Sequence, residues 1–328
     1  MGEIYKERGL SLMVGKFSDV SEVIKDNFEN LKIANGLENI RCEDIDDENL
    51  GDYVAENTDE SYDDADDESL EDYIEESSHE LYDDAGKEYK TEDGELLPNN
   101  TFVLDGITYK TDDNGEIYCV DGKLKPNTTY ELNGNVYTTD EKGRIIRCEA
   151  KPTSSPENPR DNDAQRKAGY EDRKPNDQGG HIIGRDMNGD GGIGNLIAME
   201  SKINQSDYKR MENDIKAALA DGKEVTTKTE ITYSDDSDRP DKITVTTTVD
   251  GKKTVYKFDN NIDGSLRNEV PENGKEVVKS RLEETGGEIS SIKEEYDENG
   301  NLVQTTVYIT YKGEDGNNYR TSVVIENK

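Results

Sequence analysis

Between Asp177 and Glu212 the chain reads Asp-Gln-Gly-Gly-His-Ile-Ile-Gly, a Gly-rich loop, Asn-Leu-Ile-Ala-Met, and then apolar residues at Tyr208, Met211, Ile215 and Leu219. The Ile182-Ile183 pair and the Leu196-Ile197-Ala198-Met199 run suit short buried strands, and the later spacing suits a helix. This stretch can hardly fold as anything but strand, loop, strand, helix. It also holds His181, one of only two histidines in the protein. Gly179 and Gly180 leave backbone room for another group to come close to that histidine. Asn204 or Ser206 is placed to cap the helix, and Glu212 lies within it.

These residues resemble the DNA/RNA non-specific endonucleases with a ββα-metal core, which include nuclease domains of bacterial polymorphic and secretion-delivered toxins. Gly180-His181, Asn195-Leu196, and Asn204 followed eight residues later by Glu212 stand where that family's motif places them. The resemblance implies that His181 is the general base that takes a proton from the attacking water. It makes Asn204 the one protein ligand of a hydrated Mg²⁺, or Mn²⁺, Glu212 the residue that holds metal-bound water, and Asn195 a polar support of the site. The division of work is chemically sound. A neutral imidazole titrates near working pH, and a hard cation with oxygen ligands stabilises charge on phosphate and the leaving oxygen. In-line hydrolysis leaving 5′-phosphate ends is expected.

Gln178 and Gly179 depart from the Asp and Arg found in many relatives, so phosphate contacts must come from elsewhere. Arg160, Arg166, Arg185 and Lys216 are the candidates. Arg160 and Arg166 are favoured, because Arg160…Gln165-Arg166-Lys167-Ala168-Gly169 resembles a stretch of family toxins. Taken singly, each of these residues has a plainer reading: the basic ones as solvated surface charges, Asn204 as a helix cap, Glu212 as an exposed helix position.

Charge distribution decides whether a nucleic-acid substrate is tenable. The net charge is −36, only 30% of the residues are hydrophobic and Trp is absent, so part of the 328-residue chain cannot bury enough apolar surface to fold. Phosphate binding draws on Lys and Arg. From Arg160 to Ala220, however, acidic and basic residues nearly balance at about ten of each, and the surplus acid lies mainly in the first ninety positions. Cys42, Cys119 and Cys148 have no metal-site spacing. Unpaired structural thiols are expected, with a Cys119–Cys148 bridge as the alternative. No long apolar run marks a membrane span or a cleavable signal peptide. A toxin of this kind would be secreted or delivered by a non-classical route, or else stay cytoplasmic.

The expected architecture is α+β: a ββα-metal nuclease core with antiparallel sheet, preceded by a small β-hairpin repeat module and an acidic, partly disordered arm. Residues 1–42 form a short helical segment, with apolar periodicity over 18–37. Residues 43–90 form an acidic arm whose Leu50, Tyr53 and Tyr62 recur about twenty residues on as Leu70, Tyr73 and Tyr82. That arm is either a solvated tether or a lid that imitates nucleic acid; His79 within it reads as an ordinary surface residue. Residues 91–150 hold a duplication in which Pro98, Gly106, Tyr109 and Gly115 correspond to Pro126, Gly134, Tyr137 and Gly143. Residues 151–265 are the nuclease domain, and 266–328 a β-rich extension of unreadable role. Asp186-Met-Asn-Gly-Asp-Gly imitates the start of a calcium loop, but its twelfth position, Ile197, offers no carboxylate. The expected activity is that of a hydrolase, a metal-dependent endonuclease acting on DNA or RNA, with a cognate immunity protein as partner and no membrane. The alternative is an inactive binding protein with a degenerate nuclease-like domain.

Overall fold

Turn chemistry builds most of this fold. Asp105-Gly106, Asn133-Gly134 and Asp250-Gly251 each take positive φ at both positions, 51° and 75°, 53° and 74°, 47° and 82°. That is the primed-turn geometry whose twist matches a two-residue antiparallel hairpin. The computed structural model describes residues 3–7, 10–14, 81–234, 236–262 and 265–327. They fall into two units, Met1–Tyr82 and Asp83–Lys328. In the first, β1 (Glu3–Glu7) pairs antiparallel with β2 (Leu10–Val14). The helix expected over 18–37, Cys42, His79 and most of the acidic arm lie outside the described residues.

The second unit begins with the repeats. Strands β3 (Thr101–Leu104), β4 (Ile107–Thr111), β5 (Ile117–Val120) and β6 (Lys123–Leu124) form a four-stranded sheet. The next three, β7 (Thr129–Leu132), β8 (Asn135–Thr139) and β9 (Ile145–Ala150), come from the second copy of the duplication. Each copy is clamped at its turn by an Asp pair. Asp112 accepts from the amides of Asn114, Glu116 and Glu131, and Asp113 from those of Asn133 and Gly134. Asp83 and Asp84 do the same for Ala85, Lys87, Val103 and Gly106. A further copy therefore begins at Asp83, and residues 83–90 are folded rather than part of a disordered arm. Its Tyr89 is buried and stacks on Phe102, with centroids 4.7 Å apart.

Two helices and a hairpin come next: α1 (Asn162–Lys167), the pair β10 (Asp177–His181) and β11 (Leu196–Glu200), and α2 (Lys209–Ala220). Strands β12 (Val225–Thr232), β13 (Lys242–Val249) and β14 (Lys252–Asp259) follow as expected from their alternating Thr, Val and Ile. The extension contributes α3 (Lys275–Thr285), β15 (Glu288–Tyr296), β16 (Leu302–Lys312) and β17 (Asn318–Glu326).

One antiparallel sheet of nine strands, ordered β17-β16-β15-β14-β13-β12-β9-β8-β7, runs through all of this. It runs across two boundaries expected from the sequence. Residue 150 is not an edge, because β9 pairs with β12 (Cys148↔Thr229). Residue 265 is not one either, because β15 pairs with β14 (Ser291↔Phe258). Strand pairing between distant segments leaves no local mark, so neither junction shows in the chain. A core of Tyr130, Tyr137, Ile182, Leu196, Tyr208, Met211, Ile243 and Phe258 ties the second repeat, the hairpin, α2 and the central strands together. A second core of Val278, Ile292, Val307 and Ile309 lies under α3. Cys119 and Cys148 are buried free thiols, as the unpaired reading expected.

Candidate active site

His181 ends β10, where it pairs with Leu196 of β11. The glycines before it are required by what packs on them. A Cβ on Gly179 would lie 2.7 Å from the Gln165 carbonyl oxygen, and one on Gly180 within 2.9 Å of the Met199 side chain. An arginine at 179, as in many relatives of the motif, would displace α1. With glycine there, α1 lies directly on β10 and brings the Gln165 amide nitrogen 3.3 Å from His181 Nε2. An amide nitrogen can only donate, so Nε2 is the bare, accepting nitrogen in this arrangement. Burial, then the nearby charges of Arg185 and Arg160, push the ring's pKa down from 6.5 to about 4. His181 is therefore neutral around pH 7, the form a base needs.

Asn195 is fully buried and uses every hydrogen-bonding position it has. Its Oδ1 accepts from the Ile183 amide at 2.9 Å and the Tyr137 hydroxyl at 3.0 Å, and its Nδ2 donates to the carbonyls of Ile183 at 2.8 Å and Asp190 at 2.7 Å. It has no atom left for substrate. Its work is to fix the chain just after His181, with the second repeat as anchor. Tyr130 assists by donating to the Gly194 carbonyl at 2.8 Å.

A π-helical turn, Ile203–Tyr208, leads into α2, and neither Asn204 nor Ser206 caps it. Asn204 sits inside the turn, and its Nδ2 donates to Gln178 Oε1 at 2.8 Å. Gln178 thus does by amide oxygen the accepting that a carboxylate would do there, and it leaves Asn204 with Oδ1 as its remaining donor atom. The Tyr208 hydroxyl, at the end of the turn, reaches back to the Ile182 carbonyl at 2.8 Å. Glu212 then comes against the segment following His181, where a Cβ on Gly184 would lie 3.0 Å from its Oε1. Burial raises the Glu212 pKa from 4.5 to about 7, opposed by Lys216 and assisted by Asp186.

That shift makes a stability prediction. The folded state holds the Glu212 proton more tightly than the unfolded chain, so stability falls as pH rises from 4.5 to about 7 and the deficit persists above it. Glu212→Gln should raise stability at pH 8 by about 1–3 kcal/mol and change it little at pH 4. Urea denaturation at the two pH values checks this; equal shifts at both would rule out the buried charge as the cause.

The basic candidates separate. Arg160 is exposed, and its charge reaches His181. Arg185 does so too, but its guanidinium is held by the Glu157 carboxylate and the Asn158 carbonyl. Lys216 pairs with Asp186 at 2.6 Å. Arg166 is exposed on α1 and paired with Asp163, while its neighbour Gln165 takes the place beside His181. In the calcium-like loop, Asp186 goes to Lys216, Asn188 to the Asn133 carbonyl and Asp190 to the Gly192 amide. Those three side chains diverge. Among the described residues there is no group of three His, Cys, Asp or Glu suited to a metal. What the site does offer is two hard oxygen ligand atoms, Asn204 Oδ1 and the half-buried Glu212 carboxylate. Such a set suits an ion that keeps most of its water, not an all-protein cage.

The sequence does not reveal the parts taken by Gln165 beside His181, by Gln178 as the partner of Asn204, or by the pair Asp177–Arg239. Arg239 Nε and Nη2 donate to Asp177 Oδ2 and Oδ1 at 2.7 and 2.9 Å, both side chains being almost fully buried. Asn260 adds to that anchorage, accepting from the Glu200 amide at 2.7 Å and donating to the Ala198 carbonyl at 2.9 Å. These contacts fasten the hairpin to the sheet.

Residues 126–251 match the DNA/RNA non-specific endonuclease family. The match begins inside the duplicated module, takes in every candidate above, and ends before β15. The Type VII secretion system protein EssD of Staphylococcus aureus strains USA300 and NCTC 8325 / PS 47 is 35% identical over 105 residues, 30% of this chain. The chain spans 17% of the length of those curated relatives. His181, Asn195, Asn204 and Glu212 all lie within the stretch that is similar to that family.

Proposed function

We propose that this chain is a divalent-cation-dependent endonuclease that hydrolyses phosphodiester bonds of DNA or RNA without sequence preference. The observation that carries the reading is the neutral His181 imidazole, with Gln165 against its Nε2, on the same hairpin whose Gln178 binds Asn204. A bound Mg²⁺ or Mn²⁺ would supply charge stabilisation at the phosphate and the leaving oxygen. His181 takes the proton of the attacking water through Nε2, at the position where Gln165 now donates. Asn204 offers Oδ1 to the cation, kept pointing outward because Gln178 binds the other end of the amide. Glu212 would accept hydrogen bonds from water held by a bound cation, whose positive charge would favour the ionised carboxylate. Arg160 is the exposed arginine available to the phosphate, while Arg185, Lys216 and Asn195 act on the site's shape and field. The polyanionic substrate offsets Arg160 and Arg185, which raises the basicity of His181 when it is needed.

The family match and the similarity to a type VII secretion system protein support a nuclease delivered by a non-classical route; a toxin role with an immunity protein as partner is proposed with it. Among the described residues no helix is long and apolar enough to cross a membrane. Supercoiled plasmid incubated with the protein should be nicked in Mg²⁺ or Mn²⁺ and left intact in EDTA. A folded RNA is incubated in parallel, and plasmid and RNA that both stay intact with the cation present would overturn the proposal and leave the inactive binding protein.

A further inference from the structure

The extension lies beyond the family match, yet two of its strands grip one residue of the turn that presents Asn204, and the third backs that grip. Asp207 is buried at 3% exposure. Its Oδ2 accepts from the hydroxyls of Ser290 at 2.5 Å and Ser291 at 2.8 Å, both in β15. Its Oδ1 lies 2.7 Å from Arg320 Nη2 in β17. That contact is out of line for the N–H groups, so it is a charge pair rather than a directed hydrogen bond. The Arg320 guanidinium in turn rests on the Tyr308 ring of β16, 3.9 Å from its centroid.

Two backbone irregularities make this meeting possible. Neighbouring strand residues normally face opposite sides. Here the β15–β16 register shifts between Ile289 and Ser291, leaving Ser290 as an extra residue, and both hydroxyls reach one carboxylate. On the other side the π-helical turn inserts its own extra residue into the helix, a device that recurs at functional sites. Asn204 is tied to β10 through Gln178, and Tyr208 to the Ile182 carbonyl. Asp207 is the tether on the extension's side.

We infer that Asp207, gripped by Ser290, Ser291 and Arg320, is a positioning residue that holds the π-helical turn so that Asn204 can meet the divalent cation. The extension is then part of the catalytic apparatus rather than an appended module. This rests on the nuclease reading, and the test separates the two.

Asp207→Asn removes the charge that Arg320 answers. Asp207→Leu/Arg320→Met removes both charges, a replacement that often costs a buried pair no stability. The thermal midpoint, Mn²⁺ binding read from the paramagnetic signal of the free ion, and plasmid cleavage against Mn²⁺ concentration are measured for each in the full chain. Asp207→Asn should melt earlier and bind Mn²⁺ about 10–100-fold more weakly, the usual loss when a ligand's supporting contact is removed. Its KM for plasmid should not change. The double variant should regain the melting temperature but not the Mn²⁺ affinity, a split that a purely structural role would not produce. If Asp207→Asn does not fold, the double variant decides alone. An active wild type whose variants match it in Mn²⁺ affinity and cleavage overturns the inference and leaves the nuclease standing. A wild type that neither binds Mn²⁺ nor cleaves overturns both.

Discussion

His181→Ala should lower plasmid cleavage by about 10²–10⁴-fold, the range for losing a positioned general base. The fold should survive. The ring is only partly buried at the end of β10, and its one side-chain hydrogen bond is the 3.3 Å contact with Gln165. Its ionisation adds a sign that can be checked. The folded pKa of about 4 lies below the ordinary 6.5, so between those values the unfolded chain takes up the proton first. Stability from this group is intact above pH 6.5 and is lost as pH falls towards 4. The variant should gain about 2–3 kcal/mol on the wild type as pH is lowered across that window. Cleavage assays at pH 8 with thermal melts at pH 5 and 8 test both parts. Wild-type cleavage by the variant would remove His181 from the mechanism, whatever the melts show.

Asp177→Ala should be the most destabilising single change, at about 3–5 kcal/mol, because it leaves Arg239 as a buried charge without its carboxylate. That is a large share of the stability of a folded domain. Arg239 would keep only the Asn260 carbonyl and Asn261 Oδ1, at 2.8 Å each. Arg239→Ala should cost a similar amount from the other side. The double variant should cost clearly less than the sum, since neither charge is then left buried alone. Urea denaturation of the four proteins reads this directly. Additive losses would mean that the two side chains do not act as a pair. Activity should fall with stability, because this pair anchors the first residue of the strand that ends in His181.

The two predictions differ in how visible their residues are in the chain. His181 stands out because Gly-Gly on one side and Ile-Ile-Gly on the other are local, and because the spacing from Asn204 to Glu212 lies along one helix. Asp177 looks like an ordinary acidic residue before a glycine pair. Arg239 looks like part of a Ser-Asp-Arg-Pro turn, and only the packing of the β12–β13 turn against the start of β10 puts the two together. Arg166 is favoured in the sequence because its stretch resembles one in family toxins; the packing of α1 on Gly179 gives the place beside His181 to its neighbour Gln165. The cap expected of Asn204 or Ser206 failed because the helix begins before them, and its π-helical turn has no signature in residue types.

The amino-acid sequence by itself determined the elements whose causes are local. These are the hairpins at Asp-Gly and Asn-Gly, where the turn needs positive φ, the alternating strands after α2, and the strand-loop-strand-helix unit around His181. The tertiary structure alone decided which of those elements became one sheet, that residues 83–90 join the repeats, and that Asp207 is held by Ser290, Ser291 and Arg320. The reason is physical. Backbone pairing between distant strands and the partnering of buried charges are satisfied across long chain separations, so the residues that meet need carry no pattern of their own.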